Sequence, residues 1–170
     1  MKINCSKPKE ELIKEYENLD EKTKKLFECS FETVVDTKAS ENRIEELKVF
    51  CRKMNFTKIG IAFCKGLRKY AEILDKELSK DFEIYSVCCD NCKINKQELN
   101  VKHLQEPSEI ACNPIGQALA LNQKNPDIVI KLGFCIGHDI LFSKYIQAPT
   151  TTLLVKDRKL KHRTIDWFQN

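Results

Sequence analysis

The sequence predicts an α/β fold: a four-stranded parallel sheet in a Rossmann-like, flavodoxin-like three-layer arrangement, with two N-terminal helices ahead of it. Three observations carry this. Short apolar runs, of a length suited to strands, open near Lys58, Glu83, Asp127 and Thr150. Helical stretches lie between them. That alternation implies right-handed crossovers, and therefore parallel strands. Residues 1–170 read as a single α/β domain, with a helical N-terminal part over 1–56, a βαβαβαβ core over 57–158 and a tail over 159–170.

From Lys9 to Phe27, the residues Leu12, Ile13, Tyr16, Leu19, Thr23, Leu26 and Phe27 recur at helical spacing among charges. From Glu41 to Met54, the residues Ile44, Leu47, Phe50, Cys51 and Met54 share one helical face. Cys29 and Cys51 fall in these parts and read as small buried hydrophobes. Ile59–Phe63 is the first strand, and Cys64–Lys65–Gly66 follows it. An amphipathic helix opens near Leu67, with Tyr70, Ala71, Leu74 and Leu78 on one side. Glu83–Val87 is the second strand, ending in Cys88–Cys89–Asp90–Asn91–Cys92. A polar loop with a weak helical stretch continues to Glu109. Asn113 is placed as an N-cap with Pro114 at the first helical position, and Asn125–Pro126 stops that helix. Asp127–Leu132 is the third strand, Gly137–Ile146 a short apolar helix, and Thr150–Val155 the fourth strand.

Composition narrows the function. The 170 residues carry 29 basic and 25 acidic side chains, interspersed, for a net charge of +4. No basic run is interleaved with aromatics, which argues against a nucleic-acid partner. The N-terminal residues Met1 to Pro8 have no apolar core of a signal peptide, and no run approaches the roughly 18 apolar residues of a membrane span. The expected location is cytoplasmic, with no membrane partner. Nine cysteines are many for a reducing compartment, where they serve as buried thiols, metal ligands or redox groups in preference to disulfides.

The cysteine positions then acquire meaning. In an open parallel sheet, ligands bind outside the carboxyl ends of the strands. Cys64 follows the first strand, Cys88, Cys89 and Cys92 the second, and Cys135 the third. Cys112 precedes a helix whose N-terminus faces the same rim. Helix N-termini lower thiol pKa values, and thiolates are what iron and zinc require. Gly66, Gly116, Gly133 and Gly137 each lie near one of these cysteines and could offer backbone N–H groups to sulfur. The spacing is not that of a zinc ribbon, which has two close pairs. Dispersed ligands that meet only in the fold suit an iron–sulfur cluster or zinc alike.

Other readings compete. Cys89–Asp90–Asn91–Cys92 is a C-x-x-C motif after a strand, as in thioredoxin-like oxidoreductases, although no convincing helix opens at Cys92. His138 beside Cys135 serves as a capping group, a ligand or an acid–base catalyst. Asp139 reads as a carboxylate at a helix N-terminus. Lys156–Asp157–Arg158 follows the fourth strand and faces the same rim, as an anion-holding group or an ordinary turn. His103 and His162 receive no role.

Four ordered motifs carry a family resemblance. They are Lys58 to Lys69, Cys112 to Ala118 with Leu121–Asn122, Phe134 to Asp139 with Leu141–Phe142 and Lys144–Tyr145, and Ala148–Pro149 through Arg158. Together they resemble a family of uncharacterised cysteine-rich metal-binding proteins of archaea and anaerobic bacteria, known as domain of unknown function 1847. The resemblance spans about Arg43 to Arg158. It implies Cys64, Cys89, Cys112 and Cys135 as metal ligands, with His138 and Asp139 beside them; from their positions Cys88, Cys92 and His138 are the alternates. Cys5 alone remains where some members carry a cysteine-rich N-terminal segment. The expected cofactor is an iron–sulfur cluster or zinc. The expected role is redox, electron-transfer or sulfur chemistry with a redox partner protein or a small-molecule substrate. A zinc-stabilised binding or regulatory module without catalysis is the alternative.

Overall fold

The computed structural model describes residues 6–102, 106 and 108–169; Cys5 and His103 lie outside these. The chain divides into two compact units, Met1–Asn55 and Phe56–Asn170.

The first unit holds three helices where the sequence predicts two: α1 (Lys9–Glu17), α2 (Glu21–Asp36) and α3 (Arg43–Lys53). The apolar spacing runs through Leu19 without a break, but Asp20 caps a new helix. Its carboxylate accepts the amides of Lys22 and Thr23, each at 3.1 Å, and so starts α2 afresh. Helix α2 also runs nine residues past Phe27, because Cys29 and Thr33 continue its buried stripe. Lys53 ties α3 to α2 through Glu32 at 3.1 Å and Asp36 at 2.7 Å. Cys29 and Cys51 are buried in this unit, as their apolar spacing predicts.

The second unit is the predicted α/β core. Its elements are β1 (Lys58–Phe63), α4 (Arg68–Leu78), β2 (Glu83–Cys88), α5 (Pro114–Asn122), β3 (Ile128–Phe134), α6 (Ile136–Tyr145) and β4 (Thr150–Val155). All pairings are parallel and the strand order is β2-β1-β3-β4. The central strands β1 and β3 are buried along nearly their whole length, whereas the edge strands are only partly covered. This is why the two most continuous apolar runs became the middle of the sheet. Ala62 and Val129 pack with Ala118 and Leu121 of α5 and with Phe142 of α6 into one core cluster.

The weak helical stretch expected before Glu109 is replaced, among the described residues, by turns closed at an antiparallel bridge between Asn95 and Ile110. Among the described residues no helix is long and apolar enough to cross a membrane.

The strand order decides where a site can form. The chain leaves β1 through α4 toward β2 and leaves β3 through α6 toward β4, in opposite directions. Between the carboxyl ends of β1 and β3 the connections part, and a crevice opens. Gly133 helps shape it. Its φ is +68° at an irregularity in the β3–β4 register, and a side chain there would overlap Leu67. Only glycine fits.

Candidate metal centre

Four segments deliver cysteines to that crevice. Cys64 directly follows β1, and its amide donates to Leu132 O of β3 at 3.0 Å. Cys89 follows β2, and its amide continues the ladder to Phe63 O at 2.9 Å. Cys112 lies just before α5; the next residue, Asn113, donates its amide to Cys89 O at 2.7 Å and so joins the two loops. The Asn113 side chain caps α5 by accepting the Gly116 amide at 2.8 Å, and a side chain at Gly116 would collide with it. Cys135 follows β3 and precedes α6. One cavity is lined by Cys64, Cys89, Cys112 and Cys135, together with Gln117 and His138. Its free space is about the size of a water molecule.

The thiols act on one another. Cys89 is hydrogen-bonded to both Cys64 and Cys112, and Cys135 is close enough to act on Cys112 through its charge. The thiol of Cys64 is pushed up to about 12, first by its hydrogen bond to Cys89 and then by burial. Cys89 is raised to about 11, chiefly by its contact with Cys112. Cys112 is lowered to about 7, because Cys89 donates to its thiolate. The three form a chain that accepts one negative charge readily and resists a second without a cation.

Donors surround the sulfurs. Lys65 N–H points at Cys89 Sγ at 3.2 Å, and the Gly66 amide donates to Cys64. Lys156 Nζ reaches Cys64 Sγ at 3.3 Å, and Arg158 Nη2 lies 3.6 Å from Cys135 Sγ. The turn after β4 therefore faces the thiols, as the rim argument requires. Such donors suit thiolates and the negatively charged centres that thiolates build.

The alternates are placed elsewhere. Cys88 is the last residue of β2, so its side chain points opposite to that of Cys89. It meets Arg68 Nη2 at 3.5 Å. Cys92 is exposed, with φ +65°, and its thiol contacts Asn91 Oδ1 at 3.4 Å. Only a short 3-10 turn, Asn91–Lys93, surrounds it, so no α-helix dipole acts on the C-x-x-C pair. The raised Cys89 thiol is the reverse of what a thioredoxin-like attacking group needs. His138 lines the cavity from the first turn of α6. Asp139 pairs with the buried Lys131 of β3, a partnership that no local pattern announces. His162 accepts the Asp157 amide at 3.1 Å within its own turn.

Sequence reasoning missed Gln117. It is fully buried, lines the cavity, and bridges β1 and β2 by donating from Nε2 to Phe63 O at 3.1 Å and Val87 O at 3.0 Å. A polar residue on the inward face of an otherwise apolar helix was the available signal.

Tested as a metal site, the donor set fits in chemistry. Four thiols converge with N–H and cationic donors aimed at them. It is not preassembled: among the described residues, no three His, Cys, Asp or Glu side chains already form a metal-holding group. Neutral thiols settle into hydrogen bonds with each other, and closure around an ion requires their deprotonation.

The model of a family described as protein of unknown function (DUF1847) matches residues 2–153. An uncharacterised protein of Methanocaldococcus jannaschii is 48% identical over 156 residues, covering 91% of this chain and 80% of that protein. No solved structure matches the chain. With a match running from the first unit through all four cysteine segments and into β4, this chain belongs to the DUF1847 family.

Proposed function

We propose that Cys64, Cys89, Cys112 and Cys135 bind a metal centre, an iron–sulfur cluster, at the carboxyl rim of the sheet, for redox, electron-transfer or sulfur chemistry. The observation that carries this reading is the single cavity lined by four thiols from four segments spread over 72 positions of chain, Cys64 to Cys135. A cluster would supply reversible electron transfer or a soft site for sulfur ligands. The chain's own residues have separate tasks. Lys65 and Gly66 amides hold Cys89 and Cys64 in place. Lys156 and Arg158 offset negative charge on Cys64 and Cys135. His138, at the cavity wall, is the group suited to move a proton for a bound substrate. The partner is a redox protein or a small-molecule substrate. Free thiols throughout the described residues suit a reducing, cytoplasmic compartment.

A second reading, a zinc-stabilised binding or regulatory module, is favoured by one observation. The free space between the thiols is closer to one ion than to a cluster, so a cluster requires the thiols to spread. Anaerobic purification followed by visible absorbance and analysis for iron, sulfide and zinc separates the two. A brown protein carrying iron and sulfide is expected; a colourless one with a single zinc supports the second reading. Cys112→Ser and Cys135→Ser are each expected to lose most of the bound metal. Full retention in both variants would remove these cysteines from the ligand set.

A further inference from the structure

Gln117 is 0% exposed, and its Nε2 donates to the last carbonyl of β1 and to Val87 O near the end of β2. Those two acceptors fix the amide's orientation, since the flipped form would set its oxygen against two other oxygens. The remaining atom, Oε1, accepts from no donor among the described residues. Buried acceptors are almost always satisfied, so one that is not calls for a partner. Gln117 lines the thiol cavity. With Nε2 committed to the strands, Oε1 is the polar atom it offers to that cavity.

The character of the partner follows. An amide oxygen is electron-rich and gains nothing beside a thiolate or a sulfide. It needs a proton-bearing neighbour or, where metal is bound, a cation. The space is about the size of a water molecule, which limits that neighbour to about one heavy atom. Its other neighbours include the four sulfurs, beside Pro114, Phe134 and His138, so it must also tolerate or ligate soft groups.

We infer that Gln117 Oε1 holds a small hydrogen-bond-donating ligand, water or hydrosulfide, between itself and the cavity thiols. Both present an X–H bond to Oε1 and lone pairs to a soft centre or a thiol proton. The inference deepens the metal-site reading by giving it a substrate class, and it rests on that reading only for its catalytic meaning. Gln117 thereby acts as a selector: it accepts proton-bearing ligands and repels anions that lack a proton. The same residue couples this selection to the site's geometry, because its nitrogen fixes the strand ends that carry Cys64 and Cys89.

The test uses anaerobic crystals of the metal-free, reduced full-length protein, soaked separately in buffer, sodium hydrosulfide or sodium azide. One ordered atom within hydrogen-bond distance of Oε1 is expected. Water retained there after every soak identifies water as the occupant; sulfur, recognised by its anomalous signal, identifies hydrosulfide. Azide seated against Oε1, a protein donor bonded to Oε1, or a dry cavity would each overturn the inference. Gln117→Lys keeps donors for both strand carbonyls but cannot accept. It is expected to fold, by far-ultraviolet circular dichroism, and to lose the ordered atom. If it does not fold, the soaks of the unaltered protein still decide. Metal analysis of the protein as isolated runs beside these experiments, so a failed metal reading and a failed Oε1 ligand give different results.

Discussion

At the scale of single residues, the cavity cysteines differ although their chemistry is the same. Cys112 sits at the receiving end of a hydrogen-bonded chain and is lowered to about 7, while Cys89 and Cys64 are held protonated to about 11 and 12. In metal-free protein near neutral pH, iodoacetamide is therefore expected to modify Cys112 before Cys64 and Cys89, as read by peptide mass spectrometry; the exposed Cys92 reacts independently. Equal labelling of the three cavity thiols would dissolve the proposed chain. Read along the chain, these cysteines have the same standing, since each follows a strand or precedes a helix. Which one ionises depends on contacts between residues up to 48 positions apart, Cys64 to Cys112, and no local pattern encodes those.

At the scale of elements, Lys131 shows how a helix is fixed beside the site. It lies on the fully buried strand β3 and pairs with Asp139 of α6, with Ser143 Oγ 3.3 Å away. This clamp grips the first turn of α6 at Asp139, four residues after Cys135, and places His138 at the cavity. The two partners are not equivalent: the lysine side chain is 9% exposed and the aspartate 28%. Asp139→Ala strands a buried ammonium and is expected to cost about 3–5 kcal/mol in urea unfolding. Lys131→Met leaves a carboxylate that reaches water and should cost clearly less. The opposite order would mean that the pair does not anchor the helix. The sequence showed α6 and its acidic first turn, but read Asp139 only against the helix dipole. Its partner stands in the preceding strand, where a lysine looks like an interruption of an apolar run.

At the scale of the whole molecule, the thiol chain makes stability depend on pH. Between about 7 and the ordinary value of 9.0, the unfolded chain keeps a proton that folded Cys112 has released, so stability rises with pH. Above 9.0, folded Cys64 and Cys89 keep protons that the unfolded chain has lost, so stability falls. Through these groups, metal-free protein is expected to melt highest near pH 9, by differential scanning calorimetry under reducing conditions. Metal binding should release protons and flatten this profile, raising the melting temperature across it. A flat profile in the metal-free protein, or no change on loading, would separate the cysteines from both folding and metal.

What the residues determined without help from tertiary contacts is the α/β core and which thiols follow a strand or precede a helix. Strand length, helical spacing and Gly, Pro and Asn punctuation are local properties, and the carboxyl-end rule converts them into positions. The break at Asp20 escaped because apolar spacing outvoted a cap. Tertiary structure alone decided the strand order β2-β1-β3-β4, which opens the crevice between β1 and β3. It also brought Gln117 to the cavity, and it set Lys156 and Arg158, which the sequence puts only at the rim, on Cys64 and Cys135 individually. The reason is physical: side-chain contacts between distant segments are set by how crossovers pack, and a linear sequence carries that only through the energy of the assembled whole.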